Sequence, residues 1–169
     1  IMTRILENPP IIHTERLTIR PLTMADDEAI YEYGSDPEVT KYVIFPTHQS
    51  IEDSRNFIKL VLGEYANKKP SSLGIELESD KTLIGTIGYL NWSDEHKRIE
   101  IGYAINRKYW NHGYVSEAAI ASIDFLFQNS DLIRIEARCK VQNIASWRVM
   151  EKEGCKYEEI WRKHIFSKG

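Results

Sequence analysis

The chain has 169 residues, a length that fits one domain with a substantial core, so we expect a single domain over residues 1–169. Its 22 basic and 25 acidic side chains give a net charge of −3, which is not the basic excess of a nucleic-acid-binding protein. The apolar runs are far too short to cross a bilayer, and the opening IMTRILENPP lacks the basic and apolar regions of a signal peptide. Cys139 and Cys155 lie far apart, without CxxC spacing. We therefore expect a cytoplasmic protein with reduced cysteines that binds neither nucleic acid nor membrane.

The first third of the chain predicts one strand followed by helices. RLTIRPL alternates apolar and polar residues, as a half-buried strand does. Thr23 is a suitable N-cap for a helix that reaches Tyr33, and Pro37 begins a further short helical turn. From Ser50 to Ala66 the apolar residues mostly follow helical spacing, which predicts a longer amphipathic helix.

Successive strands joined by short turns are predicted in the middle of the chain. SLGIELES and LIGTIGYLNW have strand patterns, and SDKT between them indicates a hairpin turn. SDEHK indicates a second turn, and RIEIGYAI is the strand that follows it. Strands joined by such short turns pair antiparallel.

The pattern then changes to alternating helix and strand. A helix is predicted from about Val115 to Gln128, and a strand at RIEARCKV follows it. A second helix at ASWRVMEKEG ends at a capping glycine, and CKYEEIWRKHIF is the last predicted strand. The predicted fold class is therefore α+β (mixed α/β). The strand–helix–strand unit should cross over right-handed, so that its two strands are parallel or nearly so.

The segment YWNHGYVSEA, residues 109–118, places Gly113 between a strand and the start of a helix. Several backbone N–H groups are free at a helix N-terminus, and the helix dipole adds partial positive charge there. These features suit a pyrophosphate. The segment matches neither GxxxxGK[ST] nor GxGxxG, however. From spacing alone, an anion site and an ordinary helix-entry glycine both remain open.

Four motifs, in order along the chain, resemble the GNAT acetyltransferase superfamily. They are TERLTIRPLTMADDEAIYEYGSDPEVTKYV, RIEIGYAI, YWNHGYVSEA and NIASWRVMEKEGCKY. The resemblance is strongest to the branch of the ribosomal-protein N-terminal serine and alanine acetyltransferases. It implies a GNAT fold: a central twisted, mostly antiparallel sheet of about six to seven strands, flanked by helices, with a V-shaped splay between the fourth and fifth strands. It also implies acetyl-CoA as co-substrate, bound in that splay with its pyrophosphate on the glycine turn.

The resemblance implies phosphate-binding roles around this turn. The expected residues, which act mainly through their main-chain N–H groups, are His112, Gly113, Tyr114, Val115 and Ser116. Val115 is bulkier than the Gly or Ala that is usual at its position. Arg107 and Lys108 precede the turn and add positive charge for the phosphates. The alternative for this pair is two solvated loop cations.

Glu100 is implied to be the general base. The amine nucleophile is protonated at pH 7 and must lose a proton before it attacks the thioester. A carboxylate on the strand that lines the splay accepts this proton directly or through water. The alternative is a surface glutamate paired with Arg98 or with a cross-strand lysine.

The backbone of the same strand is expected to bind the cofactor along Gly102, Tyr103, Ala104 and Ile105. Its N–H groups would hold the thioester carbonyl and stabilise the oxyanion that develops there. Gly102 also suits a bulge of the kind that splays two strands apart, with an ordinary strand glycine as the alternative.

Asn143 is implied to contact the pantetheine chain. Many superfamily members carry a tyrosine seven residues later that protonates the CoA thiolate, but this chain has Met150 there, which cannot donate a proton. In the resembling branch a serine follows the asparagine by three positions, as Ser146 does here. Ser146 is therefore expected to donate to the thiolate or to hydrogen-bond its sulfur. The alternative is an ordinary first-turn helix serine.

The predicted function is acetyl-CoA-dependent transfer of an acetyl group to a primary amine, by direct attack in a ternary complex. The acceptor is a protein N-terminus, such as that of a ribosomal protein, or a small-molecule amine. A non-catalytic CoA-binding or regulatory module on the same fold is the main alternative, and a nucleotide-binding domain is a further one. We expect a monomer or a homodimer.

No metal site is expected, because the five histidines show no metal-ligand spacing and each is interpreted as a surface or loop residue. The resembling proteins continue into a final strand beside the acceptor site. The ending HIFSKG indicates that this strand is short or missing, so the sequence does not define the acceptor pocket on this side.

Overall fold

The computed structural model describes residues 8–41, 43, 45–132, 134–138 and 163–167, and of residues 136–138 and 163–167 it describes the backbone. The described strands form one seven-stranded sheet whose order follows the sequence. They are β1 (Ile12–His13), β2 (Leu17–Arg20), β3 (Ser72–Leu77), β4 (Leu83–Ser93), β5 (Arg98–Ile105), β6 (Arg134–Arg138) and β7 (Lys163–Ser167). Neighbouring strands pair antiparallel, except that β5 and β6 are parallel.

The described α-helices are α1 (Asp27–Gly34), α2 (Pro37–Thr40), α3 (Ile51–Ala66) and α4 (Tyr114–Asn129). Short 3-10 turns precede α1 at Met24–Asp26 and lie between β5 and α4 at Arg107–Tyr109. The backbone N–H of Thr23 donates to Oδ2 of Asp26 at 2.8 Å, which is one half of a capping box. These helices and the strands β2 to β6 confirm the predicted elements. The predicted helix at ASWRVMEKEG lies outside the described residues.

The core forms two clusters, one on each face of the sheet. Because side chains alternate across a strand, Ile99 and Ile101 of β5 pack on the face that α4 covers, together with Ile123 and Leu126. Ala104 belongs to the other cluster, which contains side chains of α1 and α3. The even-numbered residues of β5 therefore face α1 and α3. In both clusters, each large aliphatic side chain that is fully buried stabilises the fold by about 1.5–3 kcal/mol relative to an exposed one.

The parallel strands β5 and β6 pair along only part of their length. Their register runs from Arg98–Arg134 to Ile101–Ala137. Both strands extend past this last pair, β5 to Ile105 and β6 to Arg138. The predicted mixed, mostly antiparallel sheet is therefore confirmed, and this pairing ends where the V-shaped splay is predicted. The fourth and fifth predicted strands are β5 and β6, because the two-residue β1 was not predicted. The predicted single domain over residues 1–169 stays a prediction.

Candidate active site

The glycine turn has a backbone conformation that favours glycine. Gly113 is the N-cap of α4 and has a φ of 78°, in the left-handed region. The preceding Asn111 also has a positive φ, of 63°. Gly113 has no side chain with which to cap the N–H groups of Tyr114 and Val115, and His112 and Gly113 are exposed. The turn therefore presents backbone donors and the positive end of the helix dipole to its surroundings.

Arg16, at the start of β2, holds this turn from the side. Its Nη1 donates to the main-chain oxygen of His112 at 2.9 Å, and its Nε lies 2.7 Å from Oε1 of Glu117. The guanidinium carbon also lies 4.4 Å from the centroid of the Tyr114 ring, in a cation–π contact. Arg16 was not predicted as a site residue, because it is separated from Glu117 by 101 residues and no local motif joins them.

The carboxylate of Glu117, in the first turn of α4, accepts hydrogen bonds from Thr14 and Arg16. Burial raises the pKa of its carboxyl, but hydrogen bonds from the Thr14 hydroxyl and from Arg16 outweigh burial and lower the pKa below its ordinary value of 4.5. The Thr14 hydroxyl donates at 2.5 Å and the Arg16 backbone N–H at 2.9 Å, both to Oε2. Glu117 is therefore ionised at neutral pH and fixes α4 to β2.

Glu100 is buried on the face of β5 that looks towards α1 and α3. Only 2% of the residue is exposed, so the alternative of a surface glutamate is wrong. Nδ2 of Asn91 donates to Oε2 of Glu100 at 2.6 Å. Asn91 has a φ of 50° and lies in the irregular pairing between Leu90 and Ser93 of β4, which turns its amide towards the carboxylate. Asn91 was not predicted either, although irregular strand positions are common next to active sites.

The cofactor-binding strip predicted on β5 follows Glu100 directly. Ala104 and Ile105 are buried, and Gly102 and Tyr103 are half-buried. Gly102 pairs in register with Gly88 of β4, so the bulge predicted at Gly102 is wrong for this pairing; the irregularity lies at Asn91 instead. In its pairing with β4, Gly102 is therefore an ordinary strand glycine, which was the alternative interpretation.

Two cations and an indole flank the glycine turn. Arg107 Nε lies 3.0 Å from Oδ2 of Asp36, and Lys108 Nζ bonds to Glu32. Both cations are therefore paired with carboxylates near α1 and α2, and a phosphate role for either stays a prediction. The Trp110 indole Nε1 donates to the main-chain oxygen of Ile105 at 2.8 Å, which joins the end of β5 to the turn.

Several predicted residues lie elsewhere or outside the description. Asn143 and Ser146 lie outside the described residues, as do Cys139 and Cys155. His48 lies in a loop, which agrees with its interpretation as a surface or loop residue, and it is buried, with Nδ1 2.8 Å from the Ser54 hydroxyl oxygen. In the described part of the chain, no group of three His, Cys, Asp or Glu residues is arranged to hold a metal ion.

Among the helices that the structure describes, none is both long and apolar enough to span a membrane.

Comparison with known proteins identifies the family. The model of the acetyltransferase (GNAT) domain matches residues 16–156. The uncharacterized N-acetyltransferase YnaD of Bacillus subtilis strain 168 is 39% identical over 154 residues, which are 91% of this chain and 87% of YnaD.

Solved structures agree with this assignment. A GNAT-family acetyltransferase from Bacillus anthracis is 35% identical, with a TM-score of 0.76 over 94% of this chain and 98% of its own. The ribosomal-protein-S5-alanine acetyltransferase from Vibrio fischeri is 18% identical and shares the fold, with a TM-score of 0.74 over 94% of each chain. The resemblance predicted from the motifs is confirmed: the chain belongs to the GNAT family and is an N-acetyltransferase.

Proposed function

We propose that this N-acetyltransferase takes its acetyl group from acetyl-CoA and transfers it to a primary amine by direct attack in a ternary complex. The observation that carries the proposal is the end of the β5–β6 pairing at Ile101 and Ala137, beyond which both strands continue. A narrow, extended ligand such as pantetheine fits an opening between two diverging strands. The carboxylate of Glu100 precedes this opening on β5, and the glycine turn follows it.

The glycine turn supports the phosphate end of the proposal. Five residues supply backbone donors there: His112, Gly113, Tyr114, Val115 and Ser116. A diphosphate gains from several N–H groups and from the dipole of a 16-residue helix, both of which meet at Gly113. Arg16 contributes indirectly, because its bond to the His112 carbonyl holds the turn in place.

The strip from Gly102 to Ile105 supports the thioester end. Its main-chain N–H groups are the proposed donors to the thioester oxygen, on which negative charge develops as the amine adds. The amine nitrogen forms a bond to the carbonyl carbon, and the C–S bond then breaks to release the CoA thiolate. Ser146 and Asn143 remain proposed contacts of the thiolate and of the pantetheine chain.

Glu100 is the proposed acceptor of the proton that the amine loses. Its carboxylate accepts a hydrogen bond from Asn91, which helps to fix the orientation that the carboxylate presents to an amine or to an intervening water. Asn91 is then a positioning residue. The cytoplasmic location, the single domain and the monomeric or homodimeric state expected from the sequence remain part of this proposal.

The proposal is tested by incubating the purified protein with acetyl-CoA and each of three amine classes: short peptides with free N-termini, spermidine and an aminoglycoside. Thiol release is followed with a chromogenic disulfide, and the product is identified by mass spectrometry. We expect amine-dependent thiol release together with an acetylated amine. CoA binding by calorimetry without thiol release in any arm would instead support the non-catalytic CoA-binding module.

A further inference from the structure

A cavity of about 290 Å³ lies between the sheet and α3. Its floor is the face of β4 and β5 around Gly88 and Gly102, and its roof includes Phe45, Phe57 and Leu60. The volume is at the lower end of the range for small-molecule sites, about 300–1,000 Å³. The cavity is therefore large enough for one substituent of a ligand and too small for a large rigid molecule.

The absence of a side chain at Gly102 helps to explain why the floor is hollow. Gly88 and Gly102 are direct partners in the β4–β5 register. A Cβ on Gly102 would meet only the Cδ1 atom of Leu90, at 3.9 Å, so it would project into open space. A side chain at position 102 would therefore fill part of the floor, whereas a Cβ at position 88 would lie 3.2 Å from Oγ of Ser72, another lining residue.

The cavity adjoins the groups that the proposed function assigns to chemistry. Gly102, Tyr103 and Ala104 line it, and their backbone is the proposed binding strip for the thioester. Glu100 is on the same face of β5 as Gly102, because residues two apart in a strand point to the same side. A group in the cavity therefore lies beside both the acetyl group and the proposed base, where a substituent of the acceptor amine belongs.

The lining of the cavity is mainly apolar. Phe45, Phe57, Leu60 and Leu90 supply aromatic and aliphatic surface, and of the described lining residues Glu64 is the one that carries a charge. A polyamine or an aminoglycoside has several cationic groups, each of which needs a carboxylate or water when it is desolvated. Leu60 is 64% exposed, and an apolar group bound in the cavity would cover part of it.

We propose that the acceptor of this enzyme is a primary amine that carries one apolar group of leucine to phenylalanine size, and that this group occupies the cavity under α3. The proposal rests on the proposed function, because it names the acceptor for the same reaction. The shared chemistry is an amine next to an apolar side chain, whether it comes from a free amino-acid derivative or from the N-terminus of a peptide.

The test measures kcat/KM for thiol release with glycinamide, alaninamide, leucinamide and phenylalaninamide, which share one type of amine and differ in the side chain. Spermidine and a tetrapeptide with N-terminal leucine complete the set. We expect kcat/KM to rise at least tenfold from glycinamide to leucinamide, since apolar pockets discriminate by about 10–200-fold per methylene. Spermidine should be a poorer substrate than leucinamide. The tetrapeptide arm distinguishes a small-molecule acceptor from a protein N-terminus.

The matched variants are Leu60→Asn at the cavity and Ile11→Asn away from it, because Ile11 is similarly exposed, at 61%. Leu60→Asn should lower kcat/KM for leucinamide by a larger factor than that for glycinamide, and Ile11→Asn should change neither. Equal kcat/KM values across the four amides would overturn the cavity assignment and leave the proposed function intact. A preference of the wild type for spermidine over leucinamide, together with a loss of activity in Glu64→Gln, would also overturn the cavity assignment.

Binding is measured separately, so that the cavity is tested even without turnover. Leucinamide and glycinamide are titrated by calorimetry into the CoA-bound protein and into its Leu60→Asn variant. Tighter binding of leucinamide that Leu60→Asn abolishes, without thiol release, keeps the cavity assignment and contradicts the proposed function. Equal binding of the two amides, or none, overturns the cavity assignment.

Discussion

Arg16 and Glu117 join the start of β2 to the first turn of α4 through an ion pair with an Nε–Oε1 distance of 2.7 Å. The same guanidinium donates to the carbonyl of His112, within the glycine turn. One side chain thus fixes both the turn and the helix that begins there. Arg16 is 42% exposed, so solvent weakens its attraction to the carboxylate, and its main effect is on geometry.

Glu117→Gln is therefore expected to weaken CoA binding. The amide keeps the size of the side chain but loses the charge-assisted hydrogen bonds from Thr14 and Arg16, which should cost about 1–2 kcal/mol of stability. A looser turn should raise the Kd for CoA by up to about tenfold, measured by calorimetry. Asp27→Asn is the matched control, because Asp27 accepts a similar bond from Arg55 at 2.9 Å, away from the turn. Equal CoA affinity in Glu117→Gln and the wild type would exclude this role.

The lowered pKa of Glu117 also predicts the acid dependence of stability. Because the carboxyl has a lower pKa in the folded state than its ordinary value of 4.5, its contribution is complete above pH 4.5. The contribution is lost as the pH falls below 4.5 through the folded-state value. In urea unfolding across this range, the free energy of unfolding of Glu117→Gln should fall less steeply than that of the wild type. Parallel curves would contradict the pKa direction.

Gly113→Ala should weaken CoA binding more than it weakens the fold. At a φ of 78° an alanine is strained by about 1 kcal/mol, and its Cβ would lie 3.4 Å from Nη2 of Arg16. Gly63→Ala is the control, since nothing lies within 4 Å of a Cβ added there, in the exposed part of α3. That change should stabilise the protein by about 0.5–1 kcal/mol and leave CoA affinity unaltered. Undiminished affinity in Gly113→Ala would count against the phosphate site.

Glu100→Gln should lower kcat for acetyl transfer by about 10²–10⁴-fold, the usual effect of losing a positioned base. The amide is nearly isosteric but cannot take up a proton, so the pH dependence of kcat should change as well. Glu76→Gln on β3 is the control, because it also removes a partly buried strand carboxylate, one that bonds to Arg20 at 2.6 Å. A rate and a pH profile that both match the wild type would remove Glu100 from the mechanism.

His48 predicts a second pH effect, on stability near neutrality. Burial lowers the pKa of its imidazole below 6.5, and the nearby Asp53 opposes this shift only in part. The stability that comes from the neutral ring is complete above pH 6.5 and is lost as the pH falls through 6.5 towards the folded-state value. Unfolding measured from about pH 7.5 to about pH 5.5 should show a smaller loss in His48→Gln than in the wild type.

Local patterns were sufficient to predict most of the sheet and helices. The alternation in RIEIGYAI predicted β5 with its observed bounds, Arg98–Ile105, and short turns predicted the antiparallel order of β3, β4 and β5. The parallel pairing of β5 with β6 followed from the helix between them. β1 was missed because two residues, Ile12 and His13, are too few to show an alternating pattern.

The site was less predictable, because its contacts join distant segments. Glu100 and Gly113 stand in motifs that can be recognised along the chain. Arg16 reaches the glycine turn only through the packing of β2 beside α4, a separation of 96 residues. Asn91 reaches Glu100 because the β4–β5 register is irregular. The residue types in NWSDEHK do not predict that irregularity.

The hydrogen bond from Trp110 to Ile105 has a consequence for the choice of ligand. It joins the end of β5 to the segment that leads into the glycine turn, and the indole also packs against both core clusters. The spacing between strand and turn is therefore set before any molecule arrives. If the acyl donor contacts both β5 and the glycine turn, as we propose, this fixed spacing favours a donor whose length matches the distance between them.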